Sequence, residues 1–270
     1  MIRLLTLIAI LTSCSYEQNN IRLSDKSLKD EIICVIGDTG KNSEIQFKVA
    51  KKLNSDNCTQ IRHVGDIIYP NGIKSKVDPQ YKSHFYKYYQ KLFENKVPFY
   101  MSLGNHDYKE SPKAWIEIAK ENPLIYFPHY YYAEIYQNLC FITLDTNAYF
   151  IEQLLWLNDF YDTNKDKCRS SVFFGHHPLY SSGSHGNAFF GVRLFLNLAL
   201  KNRAHYYIAG HDHNLEDYGK IEGIQYLISG AAGELRPLSH KSPNWGVSKP
   251  GYLKILFSEN KIDYNFVVID

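Results

Sequence analysis

Five short segments of this chain share one layout, and that layout restricts how the chain can fold. In each segment an apolar run ends at a glycine, and side chains that can bind metal ions follow at once. The segments are Gly37-Asp38-Thr39-Gly40, Gly65-Asp66-Ile67-Ile68-Tyr69, Gly104-Asn105-His106-Asp107, Gly175-His176-His177-Pro178 and Gly210-His211-Asp212-His213. Glycine allows a sharp turn where a side chain would clash. Because ligands of open α/β sheets bind beyond the carboxyl ends of the strands, we expect these five segments to converge on one cleft.

The segments between these motifs alternate between strand-like and helix-like patterns. Residues 31–37 form a continuous apolar run, which is typical of a strand buried on both faces. Residues 80–95 carry apolar side chains at helical spacing, and Pro112 is placed to open a helix that ends near residue 121. Strand-like segments near the carboxyl terminus add antiparallel pairs. We therefore predict an α/β fold, a two-sheet β-sandwich flanked by helices.

Composition argues against recognition through bulk charge. The 270 residues include 30 basic and 28 acidic side chains, so the net charge is only +2. A chain this evenly balanced lacks the basic excess that is typical of nucleic-acid-binding proteins and membrane-surface proteins. We therefore expect no nucleic-acid partner.

The amino-terminal residues have the pattern of an export signal. Arg3 precedes an apolar run, residues 4–11, that is too short to span a bilayer. The run ends in Leu11-Thr12-Ser13-Cys14, which resembles the lipobox of bacterial lipoproteins, where the signal is cleaved before an acylated cysteine. Residues 1–13 are then a signal peptide, residues 14–29 a lipidated tether and residues 30–270 the folded domain.

This interpretation predicts an exported lipoprotein, attached to a membrane through lipid on Cys14 and located in the periplasm, at the outer membrane or at the cell surface. The alternatives are an ordinary signal peptide with an incidental cysteine and an unprocessed membrane anchor.

The four other cysteines lack the CxxC spacing of zinc–thiolate sites. Cys34 and Cys140 lie inside apolar, strand-like runs and are interpreted as buried thiols. Cys58 and Cys168 each precede a predicted strand, and an exported protein can pair them. The spacing alone does not decide whether they form a disulfide.

Together, the motifs supply two carboxylates, an amide and three imidazoles, a donor set that suits a pair of divalent or trivalent ions. Their order (GD, GDxxY, GNHD, GHxP, GHDH) resembles the calcineurin-like metallophosphoesterase superfamily. Tyr69, three residues after Asp66, and the form GHDHN at residues 210–214 narrow the resemblance to the small, single-domain, tartrate-resistant type of purple acid phosphatase. The resemblance covers about residues 31–270 and implies the αββα metallophosphoesterase fold.

The resemblance implies a binuclear metal centre made of Fe(III) with Fe(II), Zn(II) or Mn(II). The expected Fe(III) ligands are Asp38, Asp66, Tyr69 and His213, and those of the second ion are Asn105, His176 and His211, with Asp66 as the bridge. Phenolate and carboxylate donors suit a trivalent ion, whereas imidazole and amide donors suit a divalent one.

The resemblance also implies an acid phosphatase, in which a metal-bound hydroxide attacks the phosphorus of a phosphate monoester. His106 and His185 are expected to contact the phosphate or to protonate the leaving oxygen, and Asp107 to orient His106. A surface position in its loop is an equally weighted interpretation for His185. The expected substrates are small phosphate monoesters or phosphoproteins, and the expected state is a monomer.

Two positions depart from the family pattern. His177 stands where an aromatic residue is more usual, and its role stays open. Gly233-Glu234 replaces a Gly-Asn pair, so the substrate range is in doubt. The basic residues of segment 235–249, Arg236 among them, are interpreted as solvated charges. The alternative functions are a metallophosphodiesterase or nucleotidase that uses two divalent ions, and a surface-binding lipoprotein with a vestigial site.

Overall fold

Two β-sheets packed face to face form the centre of the computed structural model, which describes residues 20–258 and 261–270. The strands are β1 (Ile21–Ser24), β2 (Ile32–Ile36), β3 (Gln60–Val64), β4 (Phe99–Ser102), β5 (Ile125–Tyr126), β6 (Tyr132–Tyr136), β7 (Leu139–Thr143), β8 (Ser170–Phe174), β9 (Tyr206–Ala209), β10 (Leu215–Ile221), β11 (Ile224–Ser229), β12 (Trp245–Val247), β13 (Gly251–Ser258) and β14 (Lys261–Val268). The α-helices are α1 (Glu44–Leu53), α2 (Lys87–Glu94), α3 (Lys113–Glu121), α4 (Phe150–Asn164) and α5 (Phe190–Leu200).

The six-stranded sheet has the order β14-β13-β2-β3-β4-β5, and the eight-stranded sheet has the order β1-β6-β7-β8-β9-β11-β10-β12. Strands β2 to β5 run parallel, as do β7, β8, β9 and β11. The two-sheet sandwich flanked by helices that the sequence predicts is confirmed. The parallel strands of each sheet end at one edge, which positions the loops that follow them.

Three apolar layers hold the sandwich together. Between the sheets, Val35 and Val64 of one sheet pack with Phe141 and Phe174 of the other. A second cluster lies against α1 to α3, and a third lies against α4 and α5. Strand β2 contributes to two layers, because Val35 faces the opposite sheet whereas its neighbours Cys34 and Ile36 face the helices. This explains the continuous apolar run that the sequence shows.

One buried ion pair crosses the space between the sheets. The guanidinium of Arg62 on β3 donates a hydrogen bond to the carboxylate of Glu134 on β6, and both side chains are almost fully buried. The guanidinium also lies 4.1 Å from the ring centroid of Tyr100. A buried charge is tolerated only when it is paired, so this contact specifies how the two sheets face each other.

The predicted helices form, with differences at their ends. Ser43 caps α1, since its hydroxyl accepts a hydrogen bond of 3.1 Å from the backbone NH of Gln46. Pro112 precedes the first residue of α3, as expected. The helical segment predicted at residues 80–95 begins with a π-helix, Tyr81–Tyr86, and continues as α2. Among the described residues, no helix has the length and apolar character needed to cross a membrane.

Strand β1 corrects the predicted domain boundary. It lies inside the segment expected to be a tether, residues 14–29, and pairs in parallel with β6. The folded domain therefore includes residues 21–24 and does not start only at residue 30. Four residues of mixed polarity give no periodic signal, and the strand forms because the edge of β6 offers it a partner. The signal peptide predicted at residues 1–13 lies outside the described residues.

The disulfides correct a second prediction. Cys34 bonds to Cys58, and Cys140 bonds to Cys168, so interpreting Cys34 and Cys140 as free buried thiols was wrong. Both are fully buried, as expected. In each pair one cysteine lies in a strand and the other lies just before the neighbouring parallel strand. The sequence shows that such cysteines are buried, but only the strand order shows that they are adjacent.

Candidate metal centre

The residues predicted to bind metal ions all follow strands at the same edge of the sandwich. Asp38 follows β2, Asp66 and Tyr69 follow β3, and Asn105 follows β4. From the other sheet, His176 follows β8, and both His211 and His213 follow β9. The six-stranded sheet thus supplies the oxygen donors and the eight-stranded sheet supplies the imidazoles.

Unusual backbone geometry turns these side chains inward. Asp38, Asp66 and His211 have φ angles of +56°, +52° and +68°, a conformation that non-glycine residues seldom adopt. A Cβ atom on Gly104 would lie 2.1 Å from a carboxylate oxygen of Asp66, so no larger residue fits there. Such backbone strain is typical of functional sites, where the surrounding structure holds it in place.

Two carboxylates and one imidazole form the buried centre of the cluster. Ligand atoms of Asp38, Asp66 and His176 all lie within 4.8 Å of one another. The Nε2 atom of His176 is 3.5 Å from Oδ2 of Asp66, and Nε2 of His213 is 3.5 Å from Oδ1 of Asp38. Donor atoms at these separations are close enough to bind the same metal ion.

The hydroxyl group of Tyr69 lies among three of the other expected ligands. Its distance is 3.0 Å to Oδ1 of Asp38, 2.9 Å to Oδ2 of Asp66 and 3.0 Å to Nε2 of His213. The four residues expected to bind the first ion therefore come together in one contact group.

The expected ligands of the second ion form an adjoining group. His176 donates from Nδ1 to the carbonyl oxygen of Val64 at 2.9 Å, which directs Nε2 into the site. That Nε2 atom lies 3.1 Å from Oδ1 of Asn105 and 3.2 Å from Nδ1 of His211. Asp66 contacts both groups, as a bridging ligand requires.

The electrostatics of the cluster favour bound cations. Burial opposes the charge on Asp66, but the nearby His176 outweighs it and holds the pKa of Asp66 well below its usual range. Burial likewise disfavours a charged His176, yet the facing Asp66 raises the pKa of His176 to about 9. Burial and the two carboxylates raise the pKa of Tyr69 well above its ordinary value. A phenolate at Tyr69 therefore needs a strongly charged cation, and the donor set fits two such ions.

His106 lies at the rim of this cluster. Its ring centroid is 4.4 Å from that of Tyr69, and its Nε2 is 3.9 Å from Oδ2 of Asp66. The other ring nitrogen, Nδ1, is 2.5 Å from the carbonyl oxygen of Pro70. This carbonyl, rather than a carboxylate, orients the imidazole.

Asp107 has a different role from the predicted one. Its carboxylate accepts hydrogen bonds from the backbone NH groups of Gly104 at 2.9 Å and of Ile67 at 3.1 Å. It therefore ties together the loops that carry Asn105 and Asp66 and does not orient the His106 ring. The sequence placed Asp107 next to His106, but the fold points its side chain towards the neighbouring loop.

His185 is exposed in its loop, as the surface interpretation expected, and its ring lies against the site. Its ring stacks on that of His211 with centroids 4.4 Å apart, and its Nε2 accepts a hydrogen bond of 2.6 Å from Arg236. Its backbone NH donates to Oδ1 of Asp212 at 2.8 Å. Arg236, interpreted from the sequence as solvated, thus contributes a positive charge at the rim.

Residues outside the expected ligand set also contact the ligands, and the sequence assigned none of them a supporting role. Glu234 brings Oε2 to 3.2 Å from Nδ1 of His213 and to 2.9 Å from Nζ of Lys41. That ammonium lies 4.0 Å from the ring centroid of Tyr69. Lys41 and Glu234 thus contact two expected ligands of the same ion. In the sequence, the glutamate at position 234, where the family pattern has asparagine, was the signal that this residue matters. The sequence did not show which residues lie next to it in space.

Asp212 and Thr146 also support histidines of the site. Asp212 is buried and accepts a hydrogen bond of 2.5 Å from the hydroxyl of Ser181. Its place inside the GHDH motif was a usable signal. The Thr146 hydroxyl lies 2.9 Å from Nδ1 of His177, whose ring centroid is 4.6 Å from that of His211. His177 therefore packs behind the ligand histidines.

Comparisons with known proteins agree with this geometry. The family model described as calcineurin-like phosphoesterase matches residues 32–215. The chain is 28% identical to purple acid phosphatase 3 of Arabidopsis thaliana, over 84% of this chain and 70% of that protein. It is 25% identical to tartrate-resistant acid phosphatase type 5 of Oryctolagus cuniculus, over 84% of this chain and 80% of that protein.

Two solved structures share the fold. GAP50, the anchor in the inner membrane complex of Plasmodium, superimposes with a TM-score of 0.76 at 22% identity, covering 89% of this chain and 85% of that one. Purple acid phosphatase PPD1 from yellow lupin seeds gives a TM-score of 0.68 at 15% identity, covering 90% of this chain and 52% of that one.

Proposed function

Because this chain belongs to the calcineurin-like phosphoesterase family, we propose that it is a binuclear-metal acid phosphatase that hydrolyses phosphate monoesters. The observation that carries the proposal is the position of the Tyr69 hydroxyl, about 3 Å from Asp38, Asp66 and His213. A tyrosine among these ligands suits an Fe(III) ion, beside a divalent Fe, Zn or Mn ion.

The residues present fit this pair of ions. Asp38, Tyr69 and His213 would hold the trivalent ion, Asn105, His176 and His211 the divalent one, and Asp66 would lie between them. When bound, the two ions supply Lewis-acid activation of water and neutralise charge on the phosphoryl group.

The surrounding side chains position the substrate. Arg236 and Lys41 place positive charges at the rim, where they attract the anionic phosphate. Nδ1 of His106 faces the carbonyl of Pro70 and Nε2 faces the metal cluster, so the doubly protonated ring is the form that delivers a proton from Nε2 to the leaving oxygen. His185, stacked on His211, is the second candidate for phosphate contact.

The proposal is tested on the purified chain loaded with iron. We expect two metal ions per chain, a visible absorption band from charge transfer between Tyr69 and Fe(III), and faster hydrolysis of an aryl monophosphate than of a bis-aryl diester. Tyr69→Phe should abolish the band, and Tyr81→Phe, at a partly buried tyrosine of the π-helix before α2, should leave it intact. Dominant hydrolysis of the diester would reject the monoesterase assignment, and a colourless iron-loaded protein would reject the purple type.

We also propose that the protein is exported and attached to a membrane through lipid on Cys14. The two disulfides support export, because disulfides persist in oxidising compartments. In a bacterial host that acylates lipoproteins, Cys14→Ser should move the protein from the membrane fraction to the soluble fraction and abolish incorporation of labelled fatty acid. An unchanged distribution, with the label still incorporated, would reject attachment at this cysteine.

A further inference from the structure

Exposed apolar side chains lie along the outer side of α5 and on the first turns of α4. Phe190 is 82% exposed, Ile151 73% and Phe189 65%. We call this surface the α4–α5 apolar face and define it by Ile151, Leu155, Phe189, Phe190, Leu194 and Leu198, each of which is at least half exposed. Contiguous exposed apolar surfaces of this kind mark interaction sites in soluble proteins.

The fold itself does not need this face. The inner sides of the same helices carry a separate set of buried side chains, including Trp156 and Phe160 on α4 and Val192 and Leu196 on α5. Positions 190, 194 and 198 recur every four residues, so they form a stripe along one side of α5. Helix α5 is therefore apolar on two sides, and the first turns of α4 add Ile151 and Leu155 to the exposed side. A second apolar side is typical of a helix that also contacts something outside the domain.

The face lies at the same end of the sandwich as the metal centre. Strands β7 and β8 run parallel, and α4 and α5 follow their carboxyl ends. His176 and His177 follow the same end of β8, and the ring of His177 lies 6.4 Å from that of Phe189. The apolar face thus begins beside the metal cluster.

The chain also joins the domain at this end. Strand β1 is parallel to β6, and Ile21 pairs with Ala133, next to Tyr132, which pairs with Thr143 at the carboxyl end of β7. Ile21 packs against the same apolar cluster that lies beneath α4 and α5. Ile21, the first residue of β1, therefore lies at the end of the sandwich where α4 begins.

Few residues separate Cys14, the proposed lipid attachment site, from the first strand of the domain. Seven peptide units separate Cys14 from Ile21, so even a fully extended chain spans only about 25 Å. A lipid on Cys14 would hold this end of the domain close to a bilayer. The exposed side of the two helices carries the acids Glu152, Asp159 and Asp162 and the base Arg193, so apolar contact rather than charge is the attraction to a bilayer.

We propose that the α4–α5 apolar face docks onto the surface of a lipid bilayer. The proposal rests on the membrane attachment proposed above, but it does not depend on phosphatase activity. Docking would place the metal cluster beside the bilayer, where phosphate monoesters exposed at the lipid surface have access to it.

Fluorescence quenching tests the docking directly. Phe190→Trp and its matched control Phe47→Trp, another exposed phenylalanine on α1, are made in the full chain and bound to vesicles of brominated phosphatidylcholine. Both variants keep the same amino terminus, so they are tethered equally. We expect the added emission of Phe190→Trp to be quenched at least about three-fold more than that of Phe47→Trp, because side chains of an interfacial helix reach the acyl boundary. Equal quenching would overturn the proposal.

A second measurement removes the tether. In full chains carrying Cys14→Ser, the further changes Phe190→Ser and Leu194→Ser should lower binding to phosphatidylcholine vesicles about ten-fold, since apolar burial drives interfacial binding. The control pair Phe47→Ser and Val77→Ser, at two exposed apolar residues elsewhere, should leave vesicle binding unchanged. A concentration-dependent dimer in sedimentation that Leu194→Ser abolishes, without vesicle binding, would assign the face to a second copy and overturn the proposal.

Activity is measured separately. The Phe190→Ser, Leu194→Ser chain should hydrolyse a soluble aryl phosphate at the wild-type rate, so a failure of docking is distinguishable from a failure of the proposed function.

Discussion

The six-stranded sheet supplies the oxygen donors of the metal centre, whereas the eight-stranded sheet supplies the imidazoles. Neither sheet alone carries all the expected ligands of either ion. Asp38, Asp66 and Tyr69 come from one sheet, and they contact His213 of the other only because the sheets pack together. The metal centre therefore requires the two sheets to be packed together. Bound metal should in turn stabilise that packing, since ligands gathered from distant segments bind ions only in the folded state.

The two sheets are also built alike at the end opposite the site. In the first, Cys34 of β2 pairs in register with Ile61 and bonds to Cys58, three residues earlier. In the second, Cys140 of β7 pairs with Ser171 and bonds to Cys168, again three residues earlier. Each strand–helix–strand unit is thus closed by its own disulfide, and what differs between the sheets is the donor chemistry that follows the strands.

The largest effect is expected from Asp66→Asn, which removes the one donor that contacts both ligand groups. We expect kcat/KM for an aryl phosphate to fall by on the order of 10³-fold or more, because a lost charge in a preorganised site weakens transition-state stabilisation. Elemental analysis should show fewer than two ions per chain. Asp166→Asn, an exposed matched control, should change neither quantity. Unchanged activity and metal content in Asp66→Asn would refute the shared site.

The packing of one sheet on the other is tested by the buried pair of Arg62 and Glu134. Arg62→Met or Glu134→Gln alone should lower the free energy of unfolding by about 3 kcal/mol, since each leaves a buried polar or charged partner unmatched. The double variant Arg62→Met, Glu134→Leu should recover most of the loss. Denaturant unfolding measures all three. If the single variants were as stable as the wild type, this contact would not determine how the sheets face each other.

Because the two disulfides close similar strand–helix–strand units, we expect them to contribute similarly to the free energy of unfolding. Replacing Cys34 and Cys58 together by alanine, or Cys140 and Cys168 together, should each cost about 3 kcal/mol, because the closed loops are of similar length. The sequence separations are 24 and 28 residues. Thermal unfolding of the two variants, with and without reductant, gives the comparison. A large loss of stability in only one of the two variants would show that the two disulfides contribute unequally.

The smallest effect is expected from Glu234→Gln, which removes the carboxylate beside the expected ligand His213. We expect the affinity of the first metal ion to fall about ten-fold, because carboxylates beside a ligand histidine increase its basicity and fix its orientation. Competition with a chelator measures this affinity directly. Glu222→Gln, at an exposed turn, is the matched control. An unchanged affinity would leave Glu234 as a surface partner of Lys41 only.

The comparison of the sheets also shows where sequence patterns stop being informative. Strands β2, β3, β8 and β9 were predicted because apolar runs that end at glycine are local signals. Strand β10 was missed because its buried side chains include Glu216 and Asp217, which look like surface residues in sequence. Glu216 accepts a hydrogen bond of 3.0 Å from the backbone NH of Ser182, a contact made between distant segments.

The sequence by itself determined the α/β class, the strand ends and the metal-binding residue types that follow them, and its resemblance to the metallophosphoesterases implied which seven residues are the ligands. These properties depend on residue type and on spacing along the chain, so they can be recognised without coordinates. Only the tertiary structure decided which cysteines pair, that β1 belongs to the domain, that Asp107 holds backbone amides and that Glu234 with Lys41 lies against His213 and Tyr69. Each of these depends on a partner far away in the chain, and proximity in space is set by how the sheets pack.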